Sequence, residues 1–227
     1  PQFGILPLIL GSLFVTFGAI VICVPLGIAV AIYIAEVAPS WLKEWLKFAI
    51  ELLAAIPSVV LGFIGIVTLA PLLKGLFRLP SGLTALAGSI MLAFMALPTV
   101  ISIIEDAINS VPKSYREGSF ALGATHWQTI QKVIIPASSS GILAAIMLGI
   151  GRVLGETMAV LMITGNAALM PTSILQPVRT MTATIAAEMG EAVSGDPHYY
   201  ALFAIGIILF IFSFIINVFA DRLMHKK

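Results

Sequence analysis

Five long apolar runs set the strongest constraint on what this chain can fold into. A helix rises about 1.5 Å per residue and the hydrocarbon core of a bilayer is about 30 Å thick, so about 20 apolar residues suffice to span it. The runs therefore predict an all-α membrane protein, a polytopic helical bundle with five spanning helices. The first two runs exceed the minimal length, which predicts tilt or an end at the membrane surface. The predicted spans cover approximately residues 5–34, 48–73, 83–109, 137–163 and 200–220.

Composition agrees with a membrane location. Ordinary soluble domains contain about 25% charged residues, whereas this chain has 10% charged and 59% hydrophobic residues and a mean hydropathy of +1.08. Its net charge of +1 gives no indication of a nucleic-acid partner. The sequence has no phosphate-binding G-x-x-x-x-G-K-[ST] motif, no metal-ligand cluster and no nucleophile beside a base. We therefore predict that the chain is not an enzyme and has no cofactor or metal of its own.

Lysines and arginines are distributed unevenly between the predicted loops, and positive charge concentrates on the cytoplasmic side of membrane proteins. Placing the loop between the third and fourth spans in the cytoplasm puts eight cations inside: Lys43, Lys47, Lys113, Arg116, Lys132, Arg222, Lys226 and Lys227. It leaves three outside: Lys74, Arg78 and Arg179. This orientation predicts a cytoplasmic C-terminus and an external N-terminus, so we expect a further spanning helix upstream.

Two connections are too long to be simple turns, a cytoplasmic one over residues 110–136 and an external one over residues 167–198. Loops of more than about 12–15 residues are usually functional or disordered. The external stretch TMTATIAAEMGEA predicts a re-entrant or interfacial helix. It either lies flat at the lipid interface or acts as a gate or docking helix beneath a soluble partner, through Arg179, Glu188 and Glu191.

The cytoplasmic connection predicts two short helices joined by a sharp reversal. A helix over about residues 114–122 presents small side chains on which another protein can pack closely. Gly123 permits a backbone conformation that few other residues adopt. A second short helix leads to Pro136, which suits the first turn of the next spanning helix. The same pattern is compatible with a plain amphipathic connector.

The spacing within EGSFALGATHWQTIQKVIIP resembles the EAA loop of ABC-importer permeases, in which Glu, two small residues, Gly and a final Pro recur at fixed distances. The matching positions are Glu117, Gly118, Ser119, Gly123 and Pro136, with Gly118 and Ser119 in place of the two alanines. This resemblance implies a coupling helix that docks in a cleft of an ATP-binding subunit.

Two charges interrupt the fourth apolar run, where an ionised side chain costs about 2.5–3.5 kcal/mol on insertion scales. Arg152 and Glu156, four residues apart, are predicted to share one helix face and to pair. That face also carries the small residues Gly141, Ala145 and Gly149, a pattern typical of close helix packing. The pair is either an inert lock between helices or the lining of a central path. In the second case Arg152 binds an anion in transit and Glu156 holds it in place.

Longer motifs resemble the permease subunits of phosphate ABC importers, PstC-like rather than PstA-like: GRVLGETMAVLMITGN, AIPSVVLGFIG and PVRTMTATIAAEMGEA. The resemblance implies the type I ABC-importer permease (MetI-like) fold over residues 1–227, with five of the family's six spanning helices visible. It also implies import of inorganic phosphate across the cell inner membrane. The implied partners are a PstA-like permease, two PstB-like subunits that use ATP and Mg, and an extracytoplasmic PstS-like phosphate-binding protein.

Two alternatives stay open at this point. The first is an ABC permease for another oxyanion, such as sulfate or molybdate, because an arginine in a membrane path suits any of them. The second is an ATP-independent transporter or channel.

Overall fold

The computed structural model describes residues 4–225, and this part of the chain is helical, with one isolated bridge between Gly165 and Val178. Four helical segments are long and apolar enough to span a membrane, and one bent pair of helices adds a fifth. The predicted all-helical, polytopic fold is thus confirmed. Lys226 and Lys227, two of the cations assigned to the cytoplasmic side, lie outside the described residues.

The helices follow one another along the whole described chain. In order they are α1 (Leu6–Ile32), α2 (Ser40–Ala55), α3 (Ser58–Ile64), α4 (Ala70–Phe77), α5 (Ala85–Asn109), α6 (Lys113–Ala121), α7 (His126–Thr129), α8 (Ile135–Ala137), α9 (Ser139–Gly155), α10 (Met158–Ile163), α11 (Met181–Glu188) and α12 (Pro197–His225). Three π-helical segments continue α1, α3 and α7: Tyr33–Val37, Gly65–Leu69 and Ile130–Ile134.

Helices α1 and α5 form the centre of the bundle. Pro7 lies in the first turn of α1, where the missing N–H has no helical partner to lose. α5 packs along α1 and is the most deeply buried of the candidate spans. Gly27 permits this approach, because a Cβ there would lie 2.8 Å from Val100 Cγ1. The main core of the protein is therefore the contact between these two helices.

The second span lies further along the chain than residues 48–73, so its predicted bounds were wrong. α2 ends at Ala55 because Ile56 is extended, with ψ 126°, as a residue before proline prefers. After Pro57 the chain becomes helical again, and the span covers Ser58–Phe77. A proline cannot continue the hydrogen-bond ladder of the preceding helix, which is why the apolar run is divided here.

α2 lies outside the candidate spans. None of its residues is buried. Its exposed large apolar side chains are Trp41, Trp45, Phe48 and Leu52. Intervals of 4, 3 and 4 residues put them on one face of the helix. α2 therefore has the pattern of a surface helix, in keeping with the predicted end at the membrane surface.

The external connection covers the amino-terminal end of α5. The first N–H groups of a helix have no partner within it. Thr84 caps α5 with its side chain. The carbonyls of Gln176 and Ile174 accept from Ala85 N and Leu86 N at 2.9 and 2.8 Å. The external connection is thus hydrogen-bonded into the bundle.

The fourth apolar run, over residues 137–163, is not one straight helix. α9 meets the preceding segment His126–Ala137 at a bend of 68°. It then ends at Gly155, a residue type that favours helices poorly. Glu156 is extended (φ −69°, ψ 133°), and α10 begins at Met158. The run is therefore divided into two half-helices.

α11 is inserted among the other helices on the external side. Its residues Met181, Thr182, Ala183 and Thr184 are all buried. Met181 packs with Leu8 of α1 and with Leu202 and Ile205 of α12 in a second, smaller core. This burial argues against a helix lying flat at the lipid interface.

Candidate transport pathway and coupling site

The break between α9 and α10 leaves the arginine of the fourth span exposed. Arg152 lies in the last turn of α9, where a cation complements the partial negative charge of a helix carboxyl end. Gly151 and Gly155, on either side of it, face open space. Within residues 4–225, Arg152 makes no salt bridge. Its guanidinium is therefore available to an anion or to another chain.

The predicted pairing of Arg152 with Glu156 is wrong for this structure. The helix ends between the two residues, so Glu156 does not follow Arg152 on one helix face. Its Oε1 instead accepts from Met158 N at 3.2 Å and Ala159 N at 3.3 Å, and so caps α10. Apolar periodicity could not reveal this, because it continues across the break.

Threonine side chains satisfy the backbone carbonyls at the break. Thr182 Oγ1 of α11 donates to the carbonyl of Glu156 at 2.9 Å, and Thr157 Oγ1 donates to the carbonyl of Gly155 at 3.2 Å. Non-helical backbone at membrane depth is tolerated where protein or water satisfies its polar groups. The hydrogen bond from Thr182 also makes α11 a support for the break.

The small residues of α9 pack against α5. Ala145 is fully buried, and a Cβ at Gly149 would lie 2.7 Å from Val100 Cγ2. Gly141 faces Ala107 of α5 in the same way. The prediction of a helix-packing face is confirmed. The charged residues do not share that face, because Arg152 is exposed beside it.

The cytoplasmic connection forms the two short helices and the reversal that the sequence predicts. α6 is followed by Gly123 at φ +80°, in the left-handed region that favours glycine. Thr125 then begins α7 with a capping box. Gln128 N donates to Thr125 Oγ1 at 3.3 Å, and Thr125 N donates to Gln128 Oε1 at 2.9 Å.

The positions that match the EAA pattern do not all face outwards. Ser119 is buried, and its Oγ lies 2.9 Å from Thr129 Oγ1. It therefore joins the two arms of the loop and does not present a small surface to a partner. Pro136 lies in α8, before the 68° bend, and not in the first turn of α9 as predicted. The exposed members of the pattern are Glu117, Gly118, Gly123 and Pro136.

A charged contact that sequence analysis missed holds α6 to the bundle. Arg116 Nη2 and Nε donate to Glu36 Oε1 at 2.6 and 3.3 Å, and Glu36 lies in the π-helical segment that ends α1. The same guanidinium donates to the carbonyls of Val111 at 2.8 Å and Ile108 at 3.2 Å, at the end of α5. Arg116 and Glu36 are 80 positions apart, so no local pattern could have indicated the pair.

A second missed contact fixes the surface helix α2. Glu105 of α5 is 4% exposed. Its Oε1 lies 2.9 Å from Lys47 Nζ and 3.3 Å from Lys43 Nζ, and it accepts from Asn109 Nδ2 at 3.1 Å. A buried carboxylate is stable only when it is paired and hydrogen-bonded. An acidic residue within an apolar run was the one sequence signal that could have suggested such a partner.

On the external side, two of the three predicted docking or gate residues pair with each other. Glu188 Oε1 lies 2.5 Å from Arg179 Nη2, and Glu188 Oε2 lies 3.2 Å from His198 Nε2. Arg179, Glu188 and His198 line a cavity of about 370 Å³ between α1, α11 and α12. Glu191, beyond the end of α11, is exposed. Arg179 and Glu188 thus hold α11 in place, and Glu191 remains exposed for a partner.

The family described as binding-protein-dependent transport system inner membrane component matches residues 24–226. The chain belongs to this family. This permease chain is 45% identical over its full length to a probable ABC transporter permease protein, YqgH, of Bacillus subtilis, of which it covers 74%.

Two further relatives are phosphate transport system permease proteins named PstC. The chain is 40% identical to that of Mesorhizobium japonicum, with 99% of the chain and 74% of the relative covered. It is 36% identical to that of Haemophilus influenzae, with 100% and 77% covered. The predicted resemblance to this group of permeases is confirmed.

Solved structures of ABC importers share the fold. The inward-facing MetNI methionine ABC transporter matches with a TM-score of 0.75 over 94% of this chain and 91% of that one, at 19% identity. A bacterial ABC transporter that imports alginate matches with a TM-score of 0.72 over 97% and 79%, at 16% identity. The chain therefore has the ABC-importer permease fold and is a non-catalytic, multi-pass component of the inner membrane.

Proposed function

We propose that this chain is the permease subunit of an ATP-driven importer of inorganic phosphate and forms half of its translocation pathway. The phosphate assignment is supported by the PstC relatives, which are 34–40% identical to the chain. Membership of the binding-protein-dependent family favours an ATP-driven importer over an ATP-independent transporter or channel.

One observation in the structure carries the proposal: the exposed Arg152 at the break of the fourth span has no salt-bridge partner within residues 4–225. A charge in a membrane helix is costly unless it meets water, a counter-charge or a passenger. The planar guanidinium donates bidentate hydrogen bonds to a phosphate oxyanion. Arg152 would therefore bind phosphate in transit, where no carboxylate of the described chain competes.

We propose that Glu156 weakens the retention of an anion by Arg152. Its carboxylate caps α10 at the break, where Oε1 accepts from Met158 N and Ala159 N, and it brings a negative charge to the segment that follows Arg152. Conduction requires binding that is weak enough for release. Glu156 would thus set how long the passenger stays.

The proposed machine needs four kinds of partner. A PstA-like permease completes the pathway, and two PstB-like subunits supply ATP hydrolysis with Mg. A PstS-like extracytoplasmic protein delivers phosphate. Support comes from the alginate transporter, which has been solved together with a periplasmic protein. The exposed face of α6, including Glu117 and Gly118, would receive an ATP-binding subunit. α12 begins beside α11 outside, so its carboxyl end would be cytoplasmic.

Reconstituted vesicles test the role of Arg152. With the complete transporter, phosphate uptake by Arg152→Gln should fall about 10- to 100-fold, the equivalent of losing one charge-assisted hydrogen bond of about 1.5–3 kcal/mol. Arg152→Lys should keep part of the activity, because it keeps the charge without the planar fork. Arg222→Gln removes an exposed arginine near the end of α12 and should leave uptake unchanged.

Competition with other oxyanions tests the substrate. Excess sulfate or molybdate should leave phosphate uptake unaffected. If either anion is imported in preference to phosphate, the chain is a permease for that oxyanion. If Arg152→Gln imports phosphate at the normal rate, the arginine is not part of the pathway.

A further inference from the structure

We propose that the ion pair between Glu36 and Arg116 is the joint through which movement of the coupling helix α6 reaches the spanning helices α1 and α5. Both residues are then positioning residues for transport. The proposal rests on the proposed function, because it assumes that an ATP-binding subunit moves α6. It adds the route by which that movement enters the membrane.

A single guanidinium holds α6 to two spanning helices. Arg116 donates to Glu36 at the end of α1 at 2.6 and 3.3 Å. It also donates to the carbonyl of Ile108, in the last turn of α5, at 3.2 Å and to that of Val111, just after the helix, at 2.8 Å. The five N–H donors of arginine lie in a fixed plane. Displacement of α6 therefore acts on both helices through one rigid group.

Both side chains of the ion pair are largely buried, so separating them would cost free energy. The side chain of Glu36 is 7% exposed and that of Arg116 is 21% exposed. A carboxylate this buried is strongly destabilised without a partner. Glu36 Oε2 also lies 3.9 Å from His126 Nε2, in the second arm of the loop. Both arms of the cytoplasmic connection thus converge on one carboxylate of α1.

The joint lies away from the face that a partner would contact. Glu117 and Gly118 are exposed on α6, whereas Arg116, the preceding residue, is directed to the bundle. Movement of α6 by a subunit bound to its exposed face would therefore reach the helix bundle through Arg116. The EAA pattern includes neither Arg116 nor Glu36, so docking and transmission are assigned to different residues.

From the joint, packing leads to the break in the fourth span. α5 packs against α1 on one side and against α9 on the other. Val100 of α5 contacts the positions of Gly27 on α1 and Gly149 on α9, where side chains are absent. Arg152 lies three residues beyond Gly149. A shift of α5 relative to α1 would thus change the position of the arginine that we assign to the pathway.

The sharpest test separates the link to α1 from the link to α5. Glu36→Ala removes the carboxylate but leaves Arg116 bonded to the carbonyl of Ile108 in α5 and to that of Val111 just after it, and Glu36→Gln retains an acceptor without the charge. Lys113→Ala is the matched control, because Lys113 is an exposed cation on the same helix and makes no salt bridge within the described part of the chain. The readout is phosphate imported per ATP hydrolysed by the complete reconstituted transporter, with copurification of the ATP-binding subunits measured in parallel.

We expect Glu36→Ala to assemble normally and to import about 2- to 30-fold less phosphate per ATP, the usual range for residues that carry coupling between sites. Glu36→Gln should be intermediate and Lys113→Ala unchanged. Adding Arg116→Ala to Glu36→Ala should lower the ratio further, because it also removes the hydrogen bonds from Arg116 to the carbonyls of Val111 and Ile108. If Glu36→Ala fails to assemble, Glu36→Gln, which keeps the local hydrogen bond, provides the same measurement.

A normal ratio of phosphate to ATP in an assembled Glu36 variant overturns the proposal, as does an equal loss in Lys113→Ala. A wild-type transporter that imports no phosphate contradicts the proposed substrate and not the joint. The joint is then tested by the stimulation of ATP hydrolysis by the extracytoplasmic binding protein. Glu36→Ala must reduce this stimulation if the inference is correct.

Discussion

Charged side chains are paired at the end of this permease that carries α6, whereas the arginine at the break in its fourth span is not paired within the described residues. At the cytoplasmic end Glu36 lies 2.6 Å from Arg116, and Glu105 has two lysines within 3.3 Å. At the break, Arg152 has no salt bridge within the described residues. Paired charges join helices to one another, whereas Arg152, without a salt bridge within residues 4–225, remains available for the anion-binding role that we propose.

The backbone at the break differs from the arginine side chain beside it in having its polar groups satisfied. At the break, threonine hydroxyls satisfy the carbonyls of Gly155 and Glu156. The carbonyls of the irregular backbone are therefore hydrogen-bonded, whereas the adjacent guanidinium makes no salt bridge within the described residues. This difference between backbone and side chain favours a functional role for the exposed arginine over an incidental effect of a distorted helix.

The largest effect on transport is expected from a substitution at the reversal between α6 and α7. Gly123→Val places a β-branched residue at φ +80°, which costs about 1–3 kcal/mol. We expect ATP hydrolysis to continue while phosphate uptake is lost, since α6 and α7 can no longer keep their arrangement. Membrane insertion should be normal. Gly123→Asn is the control, because Asn tolerates the left-handed region. Equal uptake in the two variants would show that the reversal is not required.

An intermediate effect, on stability, is expected at the paired site on α5. Glu105→Ala removes a buried acceptor of three hydrogen-bonding groups and should lower the free energy of unfolding by about 1.5–3 kcal/mol. The lysines it leaves are partly exposed and regain water. Denaturant titration in detergent measures the change. Asp106→Ala, at the exposed neighbouring position, should change it little.

Phosphate uptake should distinguish Glu105→Ala from the variants of Arg152. The folded fraction of Glu105→Ala should retain its phosphate uptake, because the carboxylate joins helices and is not assigned to the path. If uptake per folded molecule falls as much as it does in Arg152→Gln, then Glu105 also contributes to transport, and the distinction drawn between it and Arg152 is wrong.

The smallest effect concerns the support of the break by α11. Thr182→Val removes the hydroxyl that donates to the Glu156 carbonyl and should cost about 1 kcal/mol in the free energy of unfolding. Thr184→Val is the matched control: it is also buried, but its hydroxyl bonds only to the Thr180 carbonyl one turn earlier, a contact that adds little to helix stability. Equal stability of the two variants would mean that α11 does not support the break.

Local patterns predicted the cytoplasmic connection well. α6, the reversal at Gly123 and a second short helix all follow from residue types whose preferences act over a few positions. The packing face of α9 was predictable for the same reason, since Gly141, Ala145 and Gly149 recur at helical spacing. The sequence could not show that Ser119 faces inwards, because that depends on Thr129 across the reversal.

Spans defined by hydropathy were less accurate at their interruptions. Apolar residues continue across Pro57 and across Glu156, so hydropathy alone joins segments that the backbone separates. The proline was visible in the sequence, but membrane helices tolerate proline when neighbours satisfy the freed groups. Whether a helix bends or ends at such a residue is decided by those neighbours.

Sequence patterns alone were enough to establish a helical membrane protein with a loop of family-typical spacing between its third and fourth apolar runs. Those properties depend on composition and on contacts within a few residues. Which charges are partnered became clear from the folded arrangement, because Glu36 and Arg116 meet across 80 positions and Arg152 loses its expected partner where a helix ends. Electrostatic pairing acts through space and is settled after the helices have packed.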